Sequence, residues 1–521
     1  MVTTVMVGME NKRNLFLLFM IKMQKNNFGG KLNIRQTLST LLALTVTGAV
    51  SAADWKVTAG VGASETYSDN VSLGSSGRQG GDFVTSITPT ISAKKDGARL
   101  KVDAQYALQN LFYARDSERN ALFHQLNARA NVELYERVFF LDTFATISQT
   151  AISPLGATGS DNINATNNIS NSRSFGISPY WTHRFGSTAT LNARNTVSYV
   201  SNDAAGFSNS TNNTLNVGLA SGSDFGRFSW GVNTIRQNVT FQDRENVSFS
   251  TTSASLGYLV TSRIRLTGTV GSENNQFATT TGSAPGGGFW NATASWAPSP
   301  RTSVEAGFGR RFYGNTKNFA FKTRGAHYTW SADYNESLST SNSQFANSGI
   351  GATTAQPQAR DLFLFNQNVL TNQVFLSKRF ATAFALKKGR NDFRLEAFHS
   401  TQTTQIEQDT NTVVLTGTGA LTNNNDIFLF TNDFKQVGFS GAWDWRVSSL
   451  VTSNVTFGVT RNSFTGLNRT DTTSSLQFGL NRQFSSQLNG GLSLRHQNRS
   501  SDQSTSDFSE NAITGSVNYK F

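Results

Sequence analysis

Twelve charged residues carry most of the chemistry this sequence offers: Lys101, Asp103, Arg129, Glu133, Arg194, Arg265, Glu273, Glu305, Arg311, Arg394, Glu396 and Asp444. Each sits on the polar parity of a segment whose alternate residues are largely apolar, so a strand would put them all on one face. Both signs are present, embedded in Asn, Gln, Ser and Thr. Such a face can line a hydrated conduit and bond to a polar solute. It can equally form cross-strand charge pairs that stiffen a wall.

Catalytic patterns are weak. The five histidines, His124, His183, His327, His399 and His496, are scattered, and no motif sets one beside a Ser or Asp. The chain has no cysteine, which removes thiol nucleophiles and thiolate metal sites. Gly286-Gly287-Gly288 lacks the Lys-Ser/Thr that a phosphate loop needs. Asp69-Asn70 could touch a metal, but a tight turn is the simpler reading. Neither an enzyme nor a cofactor is expected.

The elements that must position the charged residues are strands. In Ala98–Tyr113, Leu100, Val102, Ala104, Tyr106 and Leu108 alternate with Lys101, Asp103, Gln105 and Gln109. Leu126, Ala128, Ala130, Val132 and Leu134 alternate in the same way with Gln125, Asn127, Arg129, Asn131 and Glu133. From Trp55 onward such segments are joined by connections that are short and long by turns. Counting hairpins predicts an all-β fold, a transmembrane antiparallel β-barrel of the bacterial outer membrane. It should have an even number of strands, about 22, with 18–24 tolerated. The long connections Pro154–Ser172, Asn202–Asn213, Ser341–Gln367 and Gln408–Asn425 should all lie on the outer side, and both termini on the periplasmic side. Pairs of aromatics near strand ends, such as Trp290 with Trp296 and Trp443 with Trp445, suit interfacial girdles.

Composition agrees. The 521 residues include 40 Phe and 44 Gly against 7 Pro. Few prolines suit long ladders, and mean hydropathy is −0.33, with no run fit for a spanning helix. Lys31 and Arg35, the apolar core Leu41–Val50 and the small residues Val50-Ser51-Ala52 read as a cleavable export signal, with Met23 the expected initiator. Residues 1–52 would then be extension plus signal, and 53–521 a single barrel domain. Removing 1–52 lowers the net charge from +12 to +7, with 39 Lys/Arg against 32 Asp/Glu remaining.

Three stretches resemble known patterns. In the terminal strand Ala512–Phe521, Val517, Tyr519 and Phe521 share the apolar parity. This resembles the C-terminal insertion signal of outer-membrane barrels and implies lipid and the barrel-insertion machinery as partners. Glu65-Thr66-Tyr67-Ser68-Asp69-Asn70-Val71 resembles a hairpin at the start of barrels linked to polysaccharide or exosortase loci. Ser299-Pro300-Arg301, followed by Arg310-Arg311-Phe312-Tyr313-Gly314, Arg324 and Tyr328–Glu336, resembles the PEP-CTERM system-associated outer-membrane protein family. The resemblance implies a barrel encoded with exosortase and exopolysaccharide genes and no catalytic residues. Arg310 falls on the lipid-side parity and Arg311 on the lumen side.

The expected function is a conduit or scaffold for exopolysaccharide or exosortase-dependent export, with anionic polysaccharide or export components as partners and no nucleic acid. A general porin is the alternative. The barrel sheath of a multihaem conduit is a weaker one, since the chain lacks cysteine. A modest anion preference, reduced by Arg311→Glu, is expected of the lumen.

Overall fold

The computed structural model describes residues 55–75, 80–277, 285–350, 370–405 and 433–521. The export-signal reading and the connection Gln408–Asn425 lie outside the described residues, as do residues 351–367 of Ser341–Gln367.

Period-two patterning produces a meander of twenty-two strands. The first eleven are β1 (Trp55–Ser68), β2 (Asp82–Asp96), β3 (Leu100–Tyr113), β4 (Ala121–Tyr135), β5 (Phe139–Ala151), β6 (Ile169–Phe185), β7 (Ala189–Asn202), β8 (Ser210–Ser221), β9 (Phe228–Phe241), β10 (Val247–Thr261) and β11 (Ile264–Asn274). They are followed by β12 (Gly286–Ser299), β13 (Thr302–Arg311), β14 (Gly314–Arg324), β15 (Tyr328–Ser339), β16 (Phe375–Lys388), β17 (Asn391–Thr404), β18 (Asp433–Arg446), β19 (Val451–Phe464), β20 (Arg469–Gln483), β21 (Leu488–Ser501) and β22 (Phe508–Lys520). One helix, α1 (Ser341–Ile350), follows β15.

Each strand pairs antiparallel with its neighbours in sequence, and β1 pairs with β22 in register from Gly60↔Lys520 to Ser68↔Ala512. Past β22, the Phe521 N–H donates to the Ala59 carbonyl at 2.9 Å. The sheet is therefore a closed antiparallel barrel with no free edge, as the sequence predicts. A 14-residue strand rises roughly 46 Å, enough to cross a bilayer at the usual tilt of about 45°.

Closure fixes which parity faces where. The apolar parity points out. Val57, Leu256, Val270 and Leu476 are all more than half exposed on that face, with Val517 and Phe521 beside them. An apolar belt of this size would aggregate in water and is satisfied by lipid. Among the described residues no helix is long and apolar enough to cross a membrane; the strands do the crossing. Trp181, Trp296, Trp443, Trp445 and Tyr519 ring the outer face near one end, as interfacial aromatics do.

The Phe and Gly counts have a common cause in the register. Phe144 lies directly opposite Gly176, Phe289 opposite Gly271, Phe398 opposite Gly438 and Phe457 opposite Gly441. In each pair the ring lies where a glycine Cβ would be, and an added methyl would collide with it. The ring covers backbone that glycine leaves bare, so each pair packs as one unit.

The two barrel ends differ. Connections following β2, β4, β6 and every later even strand are tight, such as Glu136–Val138 with Arg137 at φ 60° and the Gly389 turn at φ 60°. Connections following the odd strands include all the long ones. Both ends of the described barrel, Trp55 and Phe521, lie at the tight-turn end.

Candidate functional site: a lumen crossed by two connections

The polar parity faces inward. Its twelve sequence-selected residues fall into paired and unpaired sets. Arg311 forms an ion pair with Glu273, and Arg394 with Asp444, so the sequence named both partners of each pair. Arg194 Nη1 lies 2.7 Å from Asp142 Oδ2 and donates to Ser178 Oγ at 2.9 Å, with its guanidinium 3.9 Å from the Tyr180 ring centroid. Asp103 and Arg129 are direct register partners. Arg265 Nη1 donates to Ser229 Oγ at 2.6 Å, and Glu305 Oε2 accepts from Ser295 Oγ at 3.2 Å. Glu133 accepts the Arg137 N–H at 2.7 Å, at the turn and not in the lumen centre. Lys101 sits 3.9 Å from Asp96 in an exposed pair, and Glu396 lies opposite Ser440 and Ala383. Much of this set is a wall ladder. Arg310 lies on the outward face beside Trp290.

The feature that sequence reasoning missed is the direction of the connection from Ile152 to Asn168. The alternation of short and long connections places it on the outer side, and its ends are at the long-connection end; from there it folds inward and crosses to the far wall. Two forces hold it there. Leu155 packs on buried Phe375, Phe434 and Phe464, which point inward from β16, β18 and β19, while Ile163 packs with Val71, Val84, Leu111 and Tyr113. Burial of apolar rings and methyls on an inward strand face is possible only because this connection covers them.

The second force is a buried charge network on β20–β22. Glu510 is fully buried and accepts from Ser68 Oγ (2.7 Å), Asn164 Nδ2 (2.7 Å), Gln497 Nε2 (2.6 Å) and Arg495 Nη2 (2.9 Å). Arg495 also forms an ion pair with Asp161 of the crossing connection. Arg499 pairs with Asp471 and donates to the carbonyls of Pro154 (3.2 Å) and Leu155 (3.0 Å). Arg469 bonds Asp471 Oδ1 at 2.9 Å and the Leu155 carbonyl at 3.2 Å. Three guanidiniums face three carboxylates, so the network is neutral. Its further donors reach the Gly156, Pro154 and Leu155 carbonyls and Gln503 Oε1, with Arg499 Nε–H left without a protein partner among the described residues. Neutral pairing of this kind is what a buried charge requires. The local signal existed: Arg495, Gln497 and Arg499 alternate on β21 with Glu510 on the matching parity of β22. Their partner Asp161 is more than three hundred residues away.

The described ends of a second long connection, residues 340–350 and 370–374, also reach across the lumen. Thr340 and Ser343 cap α1 reciprocally, with Ser343 N–H to Thr340 Oγ1 and Thr340 N–H to Ser343 Oγ both at 3.1 Å. Asn342 Nδ2 reaches the Ser208 carbonyl at 3.0 Å and Ser210 Oγ at 2.8 Å, on the opposite wall. Phe345 and Leu370 pack there with Ile152, Val200 and Ala204. At the rim beside them, burial alone would raise the Asp203 pKa. Hydrogen bonds from Arg173 and Asn171 reverse this and hold it below the ordinary carboxylate value.

Beneath the crossing connections lies a cavity of about 980 Å³, reached by Pro154, Thr158 and Phe345 from above. The polar part of its wall is hydroxyl and amide, including Thr90, Gln105, Asn127, Ser148, Asn489 and Asn518, beside apolar surface from residues such as Val61, Ile91 and Ile147. Its charged lining residues are Arg129 and Lys520, and no carboxylate lines it. The histidines stay away: by register His124, His183, His399 and His496 face outward, and His327 is in a turn. Among the described residues no cluster of three His, Asp or Glu could hold a metal.

Neither protein-family models nor curated proteins give a match to the sequence. Solved structures do. The siderophore receptor PirA from Pseudomonas aeruginosa is 10% identical, with 89% of this chain and 80% of that chain covered and a TM-score of 0.43. The FrpB iron transporter from Neisseria meningitidis (F3-3 variant) is 10% identical over 90% and 82%, with a TM-score of 0.49. OccK2 (OpdF) from Pseudomonas aeruginosa is 9% identical over 89% and 98%, with a TM-score of 0.36. The likeness is one of barrel architecture and brings no substrate to this chain.

Proposed function

We propose that this barrel is a non-enzymatic outer-membrane conduit for hydrophilic solutes, porin-like in its wall and held narrow by the two crossing connections. The tight-turn end, with both termini, faces the periplasm. One observation carries the reading: a connection that no wall strand needs is pinned across the lumen, above a cavity whose polar lining is of hydroxyls and amides with two cations. Such a lining exchanges hydrogen bonds with a hydrated solute at little cost. A wall ladder without a cavity would suit a scaffold; the cavity favours passage.

Planar-bilayer recording tests it. Arg499→Ala removes donors to three carbonyls of the crossing connection and leaves Asp471 with one partner fewer. Breaking a buried pair costs about 3–5 kcal/mol, enough to loosen the hold of β20–β22 on the crossing connection. Unitary conductance should rise over wild type. No conductance in either protein, even with residues 154–166 deleted, would end the conduit reading.

Arg129 and Lys520 without a lining carboxylate favour anions. The expected preference is modest, screened over about 8 Å at physiological salt, and abolished by Lys520→Glu, which sets one carboxylate against Arg129. Arg311 is held by Glu273, so Lys520 replaces it as the residue to change. A cation preference in wild type would contradict this.

The exopolysaccharide reading rests on the resemblance around Ser299–Gly314. A hydroxyl- and amide-lined cavity with two cations is compatible with an acidic polysaccharide as cargo. Loss of surface polymer on deletion of the gene, restored by wild type, is its test; unchanged polymer removes it and leaves the general conduit.

A further inference from the structure

The tight-turn end carries an arginine at every turn. The first five turns hold Arg99, Arg137, Arg184, Arg227 and Arg263, each in the turn or within two residues of it. The other five hold Arg301, Arg324, Arg390, Arg446 and Arg482 in the same positions. All ten are exposed; Arg184, Arg324 and Arg446 are strand residues on the inward parity, so the collar that can face the membrane is Arg482 and the six arginines within turns. Carboxylates are fewer there: Glu136 and Asp224 lie within the turns, with Asp96 and Asp392 beside them. The described connections at the opposite end lean the other way, with nine carboxylates (Asp69, Asp116, Glu118, Asp161, Asp203, Asp243, Glu245, Asp502 and Asp507) against Arg115, Arg119 and Arg244. None of the ten arginines lines the cavity.

Position decides what it meets. Just inside the turns runs the outward aromatic ring of Trp181, Trp296, Trp443 and Tyr519, which marks the headgroup level. Lys95 lies 5.5 Å from the Trp55 ring centroid and Arg482 5.6 Å from that of Phe484, so cation and girdle are in contact. Long basic side chains one turn beyond such a girdle reach phosphates. A repeat at seven of the ten turns around a closed circumference matches a partner that surrounds the barrel. A single docked protein or a polymer strand would meet one sector.

We infer that this collar binds the phosphates of anionic phospholipid in the leaflet at the tight-turn end, and so fixes the depth and polarity of the barrel in its membrane. The spacing of guanidiniums around the rim suits many shallow contacts with separate headgroups, and the attraction is screened by salt.

The test uses the full protein reconstituted in an equal mixture of phosphatidylglycerol and phosphatidylcholine, followed by mild delipidation and mass measurement of retained lipid. Wild type should retain phosphatidylglycerol several-fold over phosphatidylcholine, less so as salt rises. Replacing Arg99, Arg227, Arg263 and Arg301 together by Gln should reduce the enrichment while the heat-shifted folded band on gels is kept. If that variant does not fold, the wild-type ratio and the single Arg301→Gln variant decide. Retention in proportion to the mixture, or enrichment indifferent to these substitutions, overturns the inference. So does wild type that shows no lipid preference but binds soluble polygalacturonate, which would assign the collar to a polymer.

Discussion

Asn70 is completely buried, and its side chain joins the first hairpin to the last strand. Nδ2 donates to the Gly74 carbonyl at 2.8 Å and to the Ser509 carbonyl at 3.0 Å, and Oδ1 accepts the Gly74 N–H at 2.9 Å. Asp69 beside it accepts the N–H and the Nδ2 of Asn511 at 2.7 and 2.8 Å. Asn70→Ala strands buried carbonyls, each costing about 1–3 kcal/mol. The temperature at which the folded gel band converts to the unfolded one should fall. Asp116→Ala, which breaks only the exposed pair with Arg119, should leave it where it is. Equal midpoints for Asn70→Ala and wild type would dismiss the clasp. The sequence shows a turn at Asp69-Asn70 because Asx side chains bond their own backbone. It does not show the partner, since no local pattern reaches 439 residues. Arg311 is similar: its parity was legible, while its pairing with Glu273 came only with the register.

Strands and connections were legible to different degrees. Strand existence and face follow from a two-residue period that one misplaced residue would invert. A connection has no period. Asn, Ser and Gly in residues 152–168 read alike whether the chain arches outward or inward, and only the isolated apolar residues Leu155 and Ile163 hint that something covers them. Within strands, the Phe–Gly pairs make a sharper prediction. Gly176→Ala forces the Phe144 ring off its seat, with an overpacking cost of about 1–3 kcal/mol. Phe144→Ala loses a buried ring, but adding Gly176→Ala to it should cost little, because the obstacle is gone. Thermal conversion midpoints for the four proteins form a double-mutant cycle, and strict additivity would mean that ring and glycine are neighbours without coupling.

Across the whole molecule, strand number and closure were readable because a membrane barrel admits few alternatives: every backbone group must pair, and an even meander is the simplest way to do so. Lumen occupancy was not readable, because it depends on contacts between residues hundreds of positions apart. The seam has a further consequence. Since Gly60 pairs with Lys520 and Phe521 bonds Ala59, the strands form a cycle whose point of opening is arbitrary. A circular permutant that links Phe521 to Trp55 and starts at the exposed Gly389 turn keeps every strand neighbour and both crossing connections. It should refold in detergent to a barrel with wild-type conductance and the same heat-shifted mobility. Failure would mean that the order in which the strands are strung along the chain, and not only their ring of neighbours, determines the folded state.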